Sequence, residues 1–240
     1  MLNRKCTVVI SLLSAVLLFG SACTQLMVPQ ESCNFVQNAQ EQRVSWKKSE
    51  LITVAIHESV PDEESISAVV EALEIWEEST GYEIFEFVDV QAEEDIGNYD
   101  IRIYWNNDWE DNRQLEQART LIKWRGNNIY SAVIGVNAEH NSFFTGTFAE
   151  SGKVDLVALM VHEIGHALGL NHVHDTNSVM EPSLATGFAE RRKPFLEDLE
   201  SMSCEYSVSD EVIAGLQEES ITESKVTGHD HAEHHDHYFE

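Results

Sequence analysis

The sequence predicts an α+β fold: a mostly five-stranded twisted sheet, a long helix after the first strand, a buried helix after the last strand, and a short C-terminal helix. Five runs of β-branched and aromatic residues, each bounded by polar or turn-forming residues, lie between residues 51 and 136. Two longer stretches, 61–80 and 154–170, repeat apolar residues at helical spacing. A chain of 240 residues with 42% hydrophobic residues suffices for one sizeable core plus ends that need not fold.

In chain order, residues 24–45 are polar and weakly patterned, so 23–45 reads as a tether or short irregular lead-in to a folded domain over 46–206. Leu51-Ile52-Thr53-Val54-Ala55-Ile56 is the first strand. Pro61 with Asp62, Glu63 and Glu64 opens the first helix, because proline suits the first turn and acids suit the positive end of the helix dipole. Ile66, Val69, Val70, Leu73 and Trp76 form its apolar face, and Gly81 stops it. Ile84–Val88 and the alternating Asp100–Trp105 supply the second and third strands. Thr120–Trp124 and Ile129–Val136 flank a Gly126-Asn127-Asn128 turn and supply the last two. Residues 138–152 are rich in Gly, Ser and Thr and read as a loop. The buried helix spans Val154–Leu170, with Leu156, Met160, Ile164, Ala167 and Leu168 as its inward stripe. Pro194–Ser203 is the final helix, turning Phe195, Leu196, Leu199 and Met202 inward. Residues 207–240 become acidic and then His-rich with little to bury, which predicts a disordered tail.

Lys and Arg number 15 against 42 Asp and Glu, a formal net charge of −27. Nucleic acid is excluded as a partner, since phosphate binding needs basic patches. Electrostatic docking to an anionic membrane is excluded for the same reason. Such a surplus keeps a protein soluble, and a monomer is expected.

The first 22 residues read as a signal peptide. Arg4 and Lys5 precede an apolar run, Val8–Phe19, too short to span a bilayer comfortably. Gly20-Ser21-Ala22-Cys23 resembles a bacterial lipoprotein signal, in which the cysteine is lipidated and anchors the mature protein to the membrane. Gly20 stands where that family commonly has Leu, and secretion with cleavage after Ala22 is the alternative. Both routes export the chain to the cell envelope or beyond. Export permits disulfides, and Cys33 and Cys204 then remain as an even pair at the two ends of the domain. A disulfide between them is expected; the rival is a free Cys33 thiolate reaching a metal from an inhibitory segment.

Within the buried helix runs His162-Glu163-Ile164-Gly165-His166-Ala167-Leu168-Gly169-Leu170-Asn171-His172, the pattern H-E-x-x-H-x-x-G-x-x-H. His162 and His166 are four apart and share a helix face, so both can reach one Zn²⁺. Glu163 borders the same cleft and can meet a water without ligating the metal. His172 lies six residues past His166, which on a continued helix would put it about 240° off that face. The helix must therefore stop and the chain turn back, and Gly169 supplies a positive φ without a Cβ clash. Three neutral imidazoles leave a fourth position open, the mark of a catalytic site. The full pattern arises by accident in on the order of one such chain in ten thousand, which favours a built site over scattered histidines.

These residues resemble the metzincin clan of zinc peptidases, in its matrixin-like branch. Ser178-Val179-Met180-Glu181-Pro182 looks like the family's Met-turn, with Met180 as the apolar floor under the imidazoles. Tyr99-Asp100-Ile101-Arg102-Ile103 looks like its third strand, and Asp155-Leu156 leads into the zinc helix as it often does there. The resemblance covers about Leu51–Tyr206 and is specific at 162–182. It implies a metzincin-like zincin fold, one catalytic zinc held by His162, His166 and His172, Glu163 as general base, and protein or peptide substrates bound along the sheet edge. Glu181 stands where matrixins commonly have Tyr, and the propeptide cysteine-switch motif is absent. Residues 106–150 do not match the family's structural zinc and calcium ligands, and His140 reads as an ordinary loop residue. Two other functions compete. The tail His229-Asp230-His231-Ala232-Glu233-His234-His235-Asp236-His237 suits a zinc-buffering surface protein. A degenerate peptidase fold used only for binding has no need of Glu163.

Overall fold

A parallel core of three isoleucine-rich strands organises the chain. The computed structural model describes residues 29–175, 177–189 and 191–217. The expected signal segment, Cys23 and the His-rich tail lie outside the described residues. Strand β1 (Ile52–His57) pairs in parallel with β2 (Phe85–Gln91) and β3 (Ile101–Asn106), and β3 pairs in parallel with β5 (Asn128–Asn137). β4 (Ala118–Arg125) is antiparallel to β5 across a two-residue turn at Gly126-Asn127. The order β2-β1-β3-β5-β4 places β4 at the sheet edge. All five expected strands form, most of them extended by a few residues, because ladder pairing continues past the apolar runs that mark them.

Val54, Ile56, Ile101, Ile103, Ile134 and Val136 are fully buried in the core. Helices α1 (Glu63–Thr80) and α3 (Leu156–Leu168) pack with the sheet, consistent with its α+β class. Asp62 is the N-cap of α1 and accepts from Ser65 N at 2.8 Å, so Pro61 sits just outside the helix. Gly81 closes α1 at φ 77°. Trp76 links the two helices by donating its indole N–H to Val161 O at 2.9 Å.

Several expectations are corrected. The buried helix is shorter at both ends, because Asp155 caps it by accepting from Ala158 N at 3.2 Å and Gly169 turns left-handed. Val154–Asp155 forms β7 instead, paired in parallel with β6 (Phe143–Phe144) inside the expected loop. The five residues of the expected stripe are buried, and so is every other residue of α3 except His166, so the helix is enclosed nearly all round. A four-residue helix, α2 (Glu93–Ile96), is too short to show a period. The final helix, α4, is Leu196–Ser203, since Phe195 N bonds Asp198 Oδ2 at 2.9 Å and Pro194 stays outside.

The domain also reaches beyond 46–206. Phe35 and Val44 of the lead-in are buried, and Phe35 bridges to Leu170. Residues 210–217 are helical, with Val212, Ile213 and Leu216 packed against the core and Ser209 N bonded to Thr80 O at 2.8 Å. Sparse apolar residues concealed both ends, since few positions suffice to dock a short segment. Cys33 and Cys204 are joined by a disulfide with Cα atoms 6.5 Å apart, so Cys33 is not a free thiolate in this structure.

Candidate metal and catalytic centre

α3 presents His162 and His166 one turn apart, and the turn after it returns His172 to them. The Nε2 atom of His166 lies 3.1 Å from that of His162 and 3.1 Å from that of His172. His162 Nδ1 is 2.7 Å from Val179 O and His166 Nδ1 is 2.8 Å from Leu170 O. A carbonyl oxygen only accepts, so each Nδ1 carries the proton and each Nε2 offers its lone pair. Burial, with repulsion from neighbouring imidazoles, pushes His162 down to about 3 and His166 down to about 4. His172 is lowered too, first by burial and then by His174, with Glu181 opposing. Three neutral imidazole donors within 4.8 Å of one another fit one divalent zinc. Among the described residues this is the group that could hold a metal ion. His140 stands apart from it, 3.3 Å from Asn137 Oδ1.

Glu163 is buried, and Thr120 of β4 donates its hydroxyl to Glu163 Oε2 at 2.5 Å. Burial pushes this carboxyl up to about 7, against the Thr120 hydrogen bond and aided by the charge of Glu116. Thr120 and Glu163 line a cleft of about 600 Å³ with the three histidines, bounded by Ile122 and Leu184. Among the described residues β4 has one strand neighbour, β5, and its other edge faces this cleft.

Gly169 adopts φ 106°, and its N–H bonds back to Gly165 O and His166 O. Val44 O is so near that a Cβ on residue 169 would approach it to 2.2 Å. Met180 packs against Gly165, where a Cβ would meet its sulfur at 2.4 Å. The Met-turn is held from α4: buried Asp198 accepts from Ser178 Oγ at 2.5 Å and from Val179 N at 3.1 Å. Val179 O then fixes the His162 tautomer. Thr120 and Asp198 escaped the sequence reading. Thr120 is one alternating position among several in β4, and Asp198 looks like any acid in a helix's first turn.

The family model for Matrixin peptidases matches residues 45–206, most of the chain. The chain is a matrixin. Matrixins are zinc-dependent endopeptidases, and the three-histidine group of this matrixin suits the family's catalytic zinc. Among its relatives are matrix metalloproteinase-21 of Cynops pyrrhogaster, 40% identical over 48 residues, and matrix metalloproteinase-21 of Xenopus laevis, 38% identical over 48 residues. Each alignment covers 20% of this matrixin and 8% of the relative.

Proposed function

We propose that this matrixin is an exported zinc-dependent endopeptidase in which Glu163 is the general base. One observation carries the reading: a buried carboxylate stands beside three converging imidazoles in a cleft that borders an open strand edge. Held by His162, His166 and His172, a zinc ion would supply Lewis acidity toward a carbonyl oxygen and a water. Glu163 Oε1, the oxygen that Thr120 does not engage, takes the water's proton and passes it to the leaving amine. Thr120 holds the other oxygen and so orients the carboxylate. Val179 O and Leu170 O keep His162 and His166 in the tautomer that ligates. The free edge of β4 takes an extended segment of a protein substrate by strand addition.

Glu163→Gln tests this. The variant keeps its zinc, read by metal analysis, and loses hydrolysis of an unfolded protein such as casein. Near-normal turnover, or loss of the zinc, refutes the role. Export rests on the basic start, apolar run and small residues of 1–22, with Cys23 as the lipid-bearing first residue of the mature chain. Mass spectrometry of the native N-terminus reads it: an unmodified Cys23 removes the lipid anchor, and an uncleaved N-terminus removes export.

A further inference from the structure

An α-helix leaves its last carbonyls without partners, and here segments remote in sequence take them. Trp46 donates its indole N–H to Ala167 O at 2.9 Å, and Tyr206 donates its hydroxyl to Leu168 O at 2.6 Å. Val36 N donates to Gly169 O at 2.9 Å, and Asn34 O accepts from Asn171 N, next to His172, at 2.6 Å. Two segments therefore hold the end of α3 and the turn to His172: the lead-in and the chain just after α4. They are tied to each other. Tyr206 Oη accepts from Trp46 N at 3.1 Å, and Arg43 donates to Glu205 Oε1 at 2.6 Å and to Cys204 O at 3.2 Å. Asn34 Nδ2 donates to Ser201 Oγ at 2.9 Å. The covalent tie is the Cys33–Cys204 disulfide. It sits one residue from Asn34 and two from Tyr206. Cys33 has a φ of 46°, a left-handed conformation that such a residue keeps only where its surroundings impose it.

We propose that the Cys33–Cys204 disulfide is a positioning device for the third zinc ligand: it closes a strap, residues 33–46 with 204–206, that fixes the Gly169–His172 turn and thereby sets how tightly the three histidines hold zinc. The inference rests on the zinc reading above. It assigns the lead-in a role at the centre although its described residues contribute no ligand.

The test measures zinc affinity of the full folded protein by competition with a chromophoric chelator, so no activity is needed. Cys33→Ser/Cys204→Ser opens the strap. A trialkylphosphine opens it in the parent: the S–S bond breaks, two thiols form, and the phosphine becomes its oxide with oxygen and protons from water. Supporting metal contacts are worth about 10–100-fold in affinity, and a loss of that size is expected for either opened form. In a His172→Ala background, opening the strap changes affinity by less than about twofold, because its effect passes through His172. Tyr206→Phe keeps the disulfide but removes the hydroxyl that bonds both Leu168 O and Trp46 N, and it weakens zinc by about 2–10-fold, the part of those two neutral hydrogen bonds that reaches the metal. It decides the matter if the double variant does not fold: unchanged affinity overturns the proposal. Equal affinity of intact and opened forms overturns it, as does the same loss with and without His172. An intact protein that binds no zinc overturns the peptidase reading and this inference together.

Discussion

Gly169→Ala probes the joint between the zinc helix and the third ligand. Two costs are separable. At φ 106° an L-residue costs about 1–2 kcal/mol relative to glycine. The new Cβ would lie 2.2 Å from Val44 O, a backbone atom that cannot swing aside, and relieving such overpacking costs about 1–3 kcal/mol. Alanine's lower unfolded-state entropy returns about 0.4–1 kcal/mol. The net loss is about 1–4.6 kcal/mol, which for a domain of this size lowers Tm by about 2–18 °C. Thermal unfolding of zinc-loaded protein with the disulfide intact measures it. Gly169→Asn separates the causes, because asparagine tolerates positive φ yet still carries a Cβ. Asparagine should remain well below the parent. Recovery to parental stability would remove the Val44 contact from the account. A Gly169→Ala protein within about 0.5 kcal/mol of the parent refutes both parts.

Two further outcomes follow from the same structure. Thr120→Val, which removes the hydroxyl from Glu163 Oε2, lowers kcat about 10–100-fold with zinc content unchanged, the worth of a hydrogen bond to a charged group; Thr120→Ser restores most of it, and unchanged kcat in the valine variant sinks the orienting role. Burial would raise the Glu205 carboxyl, but hydrogen bonds from Lys47, Ser45 and Arg43 reverse this and hold it below its ordinary value near 4.3. Its contribution to stability is therefore present above that value and lost as pH falls through the lowered folded one. Glu205→Gln costs about 2–3 kcal/mol at neutral pH, and urea titrations of parent and variant converge in acid; a gap that persists unchanged to low pH refutes the pairing.

Much of the centre was legible because its residues are close in sequence and their spacing is dictated by helix geometry. His162, Glu163 and His166 follow from one turn of α3, and a turn at Gly169 follows from the need to bring His172 back. The strands were legible where apolar runs stand between polar ones. Elements of two to four residues, β6, β7 and α2, were not, since a period needs several repeats to show. Thr120 and Asp198 act across 43 and 20 residues on Glu163 and Ser178, and no local pattern marks such partners.

The sequence by itself carried the three-histidine pattern and the need for a glycine at 169, because both follow from residue type and the 3.6-residue turn, and its motifs at 162–182 carried the likeness to matrixins. Which backbone crowds Gly169, which hydroxyl orients Glu163, and what holds the His172 turn were decided only in three dimensions. There the lead-in, β4 and the segment after α4 converge on one helix end, where unpaired carbonyls and a buried carboxylate require hydrogen-bond partners from whatever chain lies nearest.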